Sequence, residues 1–471
     1  MSKLTLIKNG TIITVDPAIS DLAKGDLLIE DGRIAQVAPQ IDAGADAEVI
    51  DASDRLVLPG MVDTHRHTWQ ALFRNIGSDW TLAHYLSGLH GTISGLYRAE
   101  DTYAGNLLGG LEALDSGITT LVDWCHNLNS PEHTDAAVDA HFTSGGRVVF
   151  GHGGGHRHWQ PPSDLDHPAD DVRRLRKGRL ASDDQLVTLF LAPRGNQFAT
   201  MRVTENDWAL AAELSIRITC HFGDGEWGKN RPVAALAQKK LLGPTMTFVH
   251  CNSLADDELK MMADAGVTAS VSPDIELQMG HGWPATGRLM KAGIKPSFSI
   301  DVCSSNGGHM FGTMRAAIGT QRGFDNEDAR NAGKASVDEM ELTCRQVLEF
   351  ATIEGARACG MDGKIGSLTP GKRADIILVR TDTSSMTPLN NPIGQFVYNA
   401  PPAWWTPFWS TARWSSATAS CSPPISRACG GSPTTRVTTS FAGLRERMAC
   451  SWAASGSRNP IRPRSDTGVC S

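Results

Sequence analysis

The sequence predicts an α/β protein, a (β/α)8 TIM barrel with a small β-sandwich domain formed from both chain ends. Short apolar, β-branched segments alternate with amphipathic segments through the middle of the 471-residue chain. Strand-like segments separated by glycine-containing turns lie before this region, and one more strand-like segment follows it. Polar residues able to bind a metal stand at the ends of several apolar segments, where a barrel builds its active site.

Residues 1–58 are expected to form the N-terminal part of the β-sandwich. Asn9-Gly10 and Asp31-Gly32 interrupt alternating apolar segments, and both dipeptides are typical of two-residue hairpin turns. Leu56-Val-Leu-Pro-Gly then leads into the first strand of the barrel.

Residues 59–358 are expected to form the barrel. Amphipathic segments such as 102–114, 205–214, 256–265 and 286–292 separate the apolar ones, which predicts a parallel sheet with helices outside it. A final long helix is expected over Glu339–Ala358. The eight predicted strands are 61–66, 117–123, 147–151, 186–192, 216–222, 246–251, 267–272 and 295–301.

Residues 359–402 are expected to return to the β-sandwich, because Ala374-Asp-Ile-Ile-Leu-Val-Arg follows a turn and has no other strand left to pair with. The composition then changes abruptly. Residues 403–471 contain no Lys, eight Arg, two acidic residues and thirteen Ser. We interpret this segment as an aberrant tail, which is either a disordered Ser/Pro/Gly-rich extension or the product of a frameshift.

The genetic code favours the frameshift. If Ala403 is encoded by GCG, the codons of Ala403-Trp-Trp-Thr read two bases later begin Val-Val-Asp. The following codons permit an alternating strand that ends in a hairpin turn, which is the element that the returning domain needs. Sequencing the gene around codon 402 tests this hypothesis.

The composition narrows the class of protein. A hydrophobic content of 41% with 20% charged residues is ordinary for a soluble globular chain. The net charge of −7 argues against a nucleic-acid-binding surface. No apolar run approaches the roughly 18 residues of a membrane span, and no signal-peptide core is visible, so we expect a cytoplasmic protein. The ten cysteines form no CxxC pair, and Cys125, Cys220 and Cys303 are expected to be small buried side chains.

Four residues are predicted to bind one divalent metal ion. His65 and His67 are two positions apart on a strand and therefore face the same side. His221 and Asp301, each at the end of another predicted strand, would complete a set of three nitrogen ligands and one oxygen ligand. Such a set leaves an open position for water and suits Zn, with Fe, Co or Mn as alternatives.

Further polar residues are candidates for catalysis or substrate binding. Asp301 can also accept the proton of the water, and His250 is expected beside it, with a core histidine as the alternative. Asp224, or in its place Glu226, is the candidate acid–base residue. His281 and Arg194 are candidates for substrate binding, with a turn and a structural salt bridge as their alternatives. The remaining loop histidines, His152, His156 and His158, are expected to form a flexible rim.

These motifs resemble those of the amidohydrolase superfamily, within the branch of cytosine deaminase, atrazine chlorohydrolase and related deaminases and herbicide hydrolases. The resemblance covers residues 1 to about 400 in the order of the family. It rests on Pro59-Gly-Met-Val-Asp-Thr-His-Arg-His, Gly117-Ile-Thr-Thr-Leu-Val-Asp, His221-Phe-Gly-Asp, Val249-His-Cys, Ser299-Ile-Asp, Ala351-Thr-Ile-Glu-Gly-Ala-Arg-Ala and Gly371-Lys-Arg-Ala-Asp-Ile-Ile-Leu.

The resemblance implies a mononuclear site with His65, His67, His221 and Asp301 as ligands and His250 beside the water. It also implies a barrel flanked by a β-sandwich. One departure matters, because the deaminases place Glu three residues after the histidine of the fifth strand and this chain has Asp224, which is one methylene shorter. No lysine that would indicate a second metal ends the fourth strand.

We therefore expect a hydrolase that uses a metal-bound hydroxide to cleave a C–N or C–Cl bond of a small nitrogen heterocycle, as a deaminase or dechlorinase does. Acyclic ureas, amides or (thio)carbamates such as phenylurea or molinate are the alternative substrates. A non-catalytic or inactive barrel is the alternative of another class. The expected partners are a small-molecule substrate and further copies of the chain in a homodimer or larger homo-oligomer, without nucleic acid or membrane.

Overall fold

A computed structural model describes residues 3–159, 163–400 and the backbone of 405–408. The chain begins with five strands of the small domain. They are β1 (Leu4–Ile12), β2 (Leu22–Glu30), β3 (Arg33–Ala38), β4 (Glu48–Asp51) and β5 (Arg55–Pro59).

Eight parallel strands follow, each paired with its neighbour in chain order. Backbone hydrogen bonds between the last and first of them close the barrel, because Asp301 N donates to His65 O and His67 N donates to Asp301 O, each at 2.9 Å. The barrel and its eight strands confirm the predicted fold. The strands are β6 (Met61–Arg66), β7 (Ile118–Cys125), β8 (Arg147–His152), β9 (Val187–Leu191), β10 (Ile218–Phe222), β11 (Met246–His250), β12 (Thr268–Val271) and β13 (Ser297–Phe298).

Helices surround the barrel or connect its strands, and apolar side chains of both layers form one continuous core. Short 3-10 helices cover Thr68–Phe73, Ser94–Leu96, His156–His158 and Trp227–Asn230, and a π-helix covers Leu86–Ile93. The α-helices are α1 (Leu82–Tyr85), α2 (Ala99–Asp115), α3 (Pro131–Ser144), α4 (Ala169–Lys177), α5 (Gly195–Phe198), α6 (Met201–Leu214), α7 (Pro232–Gln238), α8 (Asp256–Asp264), α9 (Pro273–Met279), α10 (Thr286–Lys291), α11 (Met310–Asn331), α12 (Cys344–Phe350), α13 (Ile353–Ala358) and α14 (Pro392–Asn399).

The small domain is completed from the other end of the chain. Strand β14 (Ile376–Arg380) pairs antiparallel with β5, and the backbone of β15 (Trp405–Phe408) pairs with β14. Together with β1–β4 they form one seven-stranded sheet. The boundaries predicted at residues 58, 358 and 402 stay predictions. Apart from β15, the predicted aberrant tail lies outside the described residues.

The two predicted hairpin turns have different outcomes. Asp31-Gly32 joins β2 to β3 with both residues at positive φ, as a two-residue turn requires. The hairpin predicted at Asn9-Gly10 is wrong, because β1 continues through these residues with a bulge. Gly10 is needed there for space, since a Cβ atom would lie 2.6 Å from Val57 Cγ2.

The single long helix predicted over Glu339–Ala358 is also wrong, since α12 and α13 are separate helices. The carbonyl of Ala351 accepts a hydrogen bond from Val62 N of the barrel at 2.8 Å, and the Thr352 hydroxyl bonds back to Leu348 O at 2.6 Å. Both contacts compete with helical hydrogen bonds, so the helix breaks at this point.

Two further expectations concern the whole chain. The six cysteines among the described residues are free, and five of them are buried. Among the described helices, none has the length and apolarity that crossing a bilayer requires.

Candidate metal centre and active site

Asp301 and the two histidines of β6 approach one another at the mouth of the barrel. Asp301 Oδ1 lies 3.3 Å from His65 Nε2 and 3.4 Å from His67 Nε2. Ligand bonds of 2.0–2.2 Å, the usual range for zinc, place two ligand atoms about 3.3 Å apart in a tetrahedral site. The three side chains therefore fit around one divalent ion.

His221, at the end of β10, faces the same point from the opposite side. Its ring centroid lies 4.6 Å from that of His65 and 5.5 Å from that of His67. Ligand atoms of His65, His221 and His250 lie within 4.8 Å of one another, as do those of His65, His67 and Asp301. Both ring nitrogens of His65 and Nδ1 of His221 are buried without a hydrogen-bond partner among the described residues, and a bound cation would account for one nitrogen of each ring.

The protonation states also suit a cation. Burial lowers the pKa of His65 to about 3 and lowers those of His67 and His221, so all three are neutral imidazoles, the form that binds metal. His67 Nδ1 lies 2.8 Å from Trp124 O and donates to it, which leaves Nε2 available for the ion. Although burial disfavours its charge, Asp301 keeps a pKa far below the usual range because His65 and His250 stabilise the carboxylate.

His250 lies beside these ligands, at the end of β11. Its Nε2 atom is 3.8 Å from Asp301 Oδ2 and 3.6 Å from Asp224 Oδ1. Burial disfavours the imidazolium, but Asp224, Glu276 and Asp301 together raise the pKa of His250 to about 9. Its backbone φ of +74° is rare for a residue with a side chain and is typical of functional positions.

Asp224 and Glu226, the two candidates for the acid–base residue, lie in different surroundings. Asp224 is buried, and burial raises its pKa to about 6. Gln197 holds this segment by accepting from Gly223 N at 2.6 Å and donating to Asp224 Oδ2 at 3.4 Å. Glu226 is exposed and pairs with Lys229. The structure thus brings Asp224, and not Glu226, next to His250, and the acid–base role of Asp224 stays a prediction.

The two predicted substrate-binding residues occupy different places. His281 is buried with Nδ1 4.0 Å from Asp224 Oδ1, and burial lowers its pKa to about 3. Arg194 is buried too, but its guanidinium donates to His158 O, Ser163 Oγ and Leu165 O. These bonds hold the backbone of His158 and Leu165 and the side chain of Ser163, and a substrate contact by Arg194 stays a prediction.

Two of the histidines predicted to form a flexible rim, His152 at the end of β8 and His156 after it, make contacts with the body of the protein. His152 is fully buried, with Nδ1 2.9 Å from His167 Nε2 and Nε2 3.1 Å from Asp171 Oδ2. His156 Nδ1 lies 2.8 Å from His90 O and donates to it. These contacts join the loop to the body of the barrel.

Several residues of the site were not predicted from the sequence. Glu276 in α9 lies 3.1 Å from His250 Nδ1. Acidic residues are common in the first turn of a helix, because the helix dipole stabilises their negative charge there. A group of aromatic and imidazole rings also lines one side of the metal centre; its members are Tyr85, His90, Trp124, His126 and Trp159. The Trp124-Cys-His126 segment directly after a predicted strand was the available signal.

Comparison with known proteins gives a consistent result. The model of the amidohydrolase family matches residues 56–408. A 5'-deoxyadenosine deaminase of Methanothermobacter thermautotrophicus is 29% identical over 410 residues, which cover 83% of this chain and 90% of the relative. A 5-methylthioadenosine/S-adenosylhomocysteine deaminase of Syntrophobacter fumaroxidans is 27% identical over 410 residues, covering 84% and 89%.

Solved structures share the fold. An adenosine deaminase from Xanthomonas campestris with bound zinc superposes with a TM-score of 0.77 at 21% identity, covering 95% of this chain and 98% of the other. Atrazine chlorohydrolase from Arthrobacter aurescens TC1, complexed with zinc, has a TM-score of 0.75 at 20% identity, covering 93% and 99%.

Proposed function

This chain belongs to the amidohydrolase family, and from that premise we propose that it is a zinc-dependent deaminase or dechlorinase of small, neutral nitrogen heterocycles. One observation carries the proposal: ligand atoms of His65, His67 and Asp301 lie within 4.8 Å of one another, as do those of His65, His221 and His250, and the buried Asp224 lies beside His250. The relatives named as deaminases support the heterocycle. The imidazole and carboxylate donors and the zinc-bound structural neighbours support zinc.

His65, His67, His221 and Asp301 would hold the ion. A divalent cation bound there supplies a Lewis acid that lowers the pKa of water towards about 7. The chain's own residues then orient the water and move its protons.

Asp301 and His250 control the attacking water. The ionised Oδ2 of Asp301 faces His250 Nε2 at 3.8 Å, and a water between them donates to the carboxylate. Asp301 takes this proton as the water oxygen forms a bond to the electrophilic ring carbon. The N–H of His250 donates to the same oxygen and stabilises its charge, because Glu276 keeps the other ring nitrogen occupied.

Asp224 transfers a proton to the substrate. Its pKa of about 6 lies near neutral pH, where an acid–base group can both accept and donate a proton. It takes the second proton of the water and delivers it to a ring nitrogen, while the proton held by Asp301 passes to the amino group. The C–N bond then breaks with ammonia as the leaving group, and both carboxylates return to their ionised form. His281 Nδ1, 4.0 Å from Asp224 Oδ1, contacts the substrate at this position.

The remaining expectations concern the state of the protein in the cell. We propose that it acts in the cytoplasm, which the six free cysteines of the described residues support, since a reducing compartment keeps thiols unpaired. The homodimeric or larger state expected from the sequence stays a prediction, which light scattering would test.

The deciding experiment measures turnover and metal content on one sample. Zinc-loaded protein is incubated with 5'-deoxyadenosine, guanine, a pyrimidine, atrazine, a phenylurea and a thiocarbamate, and released ammonia, chloride and amine are measured. We expect release from a heterocycle and about one metal ion per chain. Release only from the phenylurea or thiocarbamate would replace the proposal by its acyclic alternative. Full metal content without any turnover, or protein that retains no metal, would overturn it.

A further inference from the structure

We propose that Tyr85, His90 and His126 form a hydrogen-bond-donor subsite that selects heterocycles with an unprotonated ring nitrogen or a carbonyl oxygen facing it. The inference rests on the proposed function, because it describes the part of the same substrate that does not react. It goes further by assigning the specificity to named groups outside the metal centre.

The subsite adjoins the metal centre. The ring of His126 stacks on that of the ligand His67, with centroids 4.0 Å apart and planes inclined by 11°. The Tyr85 hydroxyl lies 3.1 Å from His90 Nε2, which lies 3.0 Å from His126 Nε2. Two hydrogen-bond contacts and one ring stack therefore connect Tyr85 to a proposed metal ligand.

The hydrogen bonds of His126 fix its hydrogen. The indole Nε1 of Trp69 is a donor only, and it lies 2.9 Å from His126 Nδ1. His126 Nδ1 must therefore accept, which leaves the single hydrogen of the neutral ring on Nε2. That hydrogen points at His90 Nε2, 3.0 Å away.

A second donor competes for the same acceptor. Gln70 Nε2 donates to the Tyr85 hydroxyl oxygen at 2.7 Å, and Ser304 Oγ donates to Gln70 Oε1 at 3.0 Å, which fixes the amide. The hydrogen of Tyr85 then points at His90 Nε2, 3.1 Å away. An imidazole nitrogen has one lone pair in the ring plane, so His90 cannot satisfy both donors fully. One donor is left for a substrate acceptor.

Local backbone structure supports a functional role for this group. His90 lies in the π-helix Leu86–Ile93, and such helices are rare and occur often at functional sites. The π-helix brings the His90 ring within a centroid distance of 4.2 Å from the His126 ring. The surplus donor is thus built by the fold and does not depend on one mobile side chain.

The walls of the subsite indicate the charge and shape of the ligand. The ring of Trp159 packs edge-on against the rings of His126 and Trp124, with centroids 5.3 Å and 5.1 Å apart, so aromatic rings border the subsite, and such rings favour a flat ligand ring. The guanidinium of Arg194 is already bonded to His158 O, Ser163 Oγ and Leu165 O, so it supplies no free cation for an anionic ligand. The ligand class is a neutral planar ring with an acceptor.

Binding measurements on two tyrosine variants test the proposal. Tyr85→Phe removes the competing donor and also the oxygen that accepts from Gln70 Nε2. Tyr97→Phe is the matched control, because Tyr97 is also buried and donates one hydrogen bond, to Trp69 O at 3.0 Å. Both are made in zinc-loaded protein with Asp224→Asn to stop turnover. Calorimetry measures the affinity for 5'-deoxyadenosine, guanine and atrazine, and thermal midpoints and zinc content check folding.

We expect Tyr85→Phe to weaken binding of at least one heterocycle roughly 3- to 10-fold, as the loss of one buried hydrogen bond implies, and Tyr97→Phe to leave it unchanged. A deaza analogue has CH in place of the contacted nitrogen. It should bind more weakly than the parent heterocycle to the protein that keeps Tyr85, whereas Y85F should bind the analogue and the parent with similar affinity. If Tyr85→Phe does not fold, His126→Phe, which keeps the stacking and removes the second donor, is measured instead.

The outcomes separate the two proposals. Equal affinities of Y85F and Y97F for every heterocycle that is turned over would overturn the subsite and leave the proposed function intact. If Y85F binds a heterocycle more weakly than Y97F does, but the protein that retains Asp224 turns over none of the heterocycles, the subsite is supported and the proposed function is overturned. Failure of all three heterocycles to bind would overturn both.

Discussion

Nδ1 of His250 lies 3.1 Å from Oε1 of Glu276, and both side chains are buried. Glu276 is itself fixed, because its Oε1 accepts from Ser272 N at 2.7 Å and its Oε2 accepts from Asn252 Nδ2 at 3.2 Å. The carboxylate therefore keeps the hydrogen of His250 on Nδ1 and directs Nε2 towards Asp301 and Asp224.

Replacing Glu276 with Gln should show the effect of this charge. The amide keeps the size of the side chain but no longer stabilises the imidazolium, so the pKa of His250 should fall. We expect kcat/KM to drop about 10- to 100-fold, as for other supporting carboxylates, with the high-pH limb of the rate profile shifted to lower pH. Glu258→Gln is the control, since Glu258 is also buried but accepts from Val233 N and Ala234 N. A Glu276→Gln profile that superposes on the original would contradict this role.

The metal centre could be predicted from the sequence because its residues stand at strand ends. His65, His221 and His250 end or nearly end apolar segments, and parallel strands bring their carboxyl ends to one face of a barrel. Asp224 was predicted as well, but the choice between it and Glu226 needed the path of the loop, which buries one and exposes the other.

Other features depend on contacts between distant segments. Glu276 lies within a helix, where an acidic residue has ordinary local reasons to occur, and only the fold brings it to His250. The break between α12 and α13 arises from the hydrogen bond of Val62 to Ala351, nearly 300 positions apart in the chain. Asn9-Gly10 has the sequence of a turn, but β1 pairs with β2 on one side and with β4 and β5 on the other, which keeps it extended.

Metal content should depend on the predicted ligands and not on other histidines. We expect His67→Ala to lose most of the bound metal, because His67 supplies one of four ligands, while the exposed His84→Ala keeps it. Metal binding also stabilises the fold by roughly 2.7 kcal/mol when free metal is 100-fold above its Kd. A chelator should therefore lower the thermal midpoint of the unaltered protein and of His84→Ala, but hardly that of His67→Ala. Equal metal content in the two variants would contradict the ligand set.

Thr64 should contribute to the closure of the barrel. Its buried hydroxyl lies 2.7 Å from Ser270 Oγ, 2.9 Å from Ser297 Oγ and 3.0 Å from Phe298 O, and so connects β6 to β12 and β13. Thr64→Val has nearly the same shape but removes all three contacts from a buried position, and Ser270 and Ser297 keep only their bonds to Ser299 Oγ and Ala269 O. We therefore expect a loss of about 1–3 kcal/mol in the free energy of unfolding. Denaturant titration measures it. Thr11→Val, which removes the exposed hydrogen bond to Ala23 O, should change it little; a similar loss in both would argue against a special role of Thr64.

The rate should depend on pH in both directions. Burial raises the pKa of Asp224 to about 6, and below this value its carboxyl is protonated and cannot accept the proton of the water. The carboxylates around His250 raise its pKa to about 9 against the effect of burial, and above this value the ring no longer donates from Nε2. We therefore expect kcat/KM to rise through about pH 6 and to fall again towards pH 9. A cation bound at Asp301 disfavours protonation of the groups around it. In the metal-loaded enzyme the apparent pKa of each limb should therefore lie at or below these values.

Variants of Asp224 assign the low-pH limb of this profile. Asp224→Asn cannot accept a proton, so it should lose the low-pH limb together with most of the activity. Asp224→Glu restores the carboxylate with one more methylene and should keep a low-pH limb at a shifted position. The profile is measured at saturating zinc, because protonation of His65, His67 and His221 releases metal at low pH. If the low-pH limb persists in Asp224→Asn at full metal content, another group carries that proton and Asp224 has a different role.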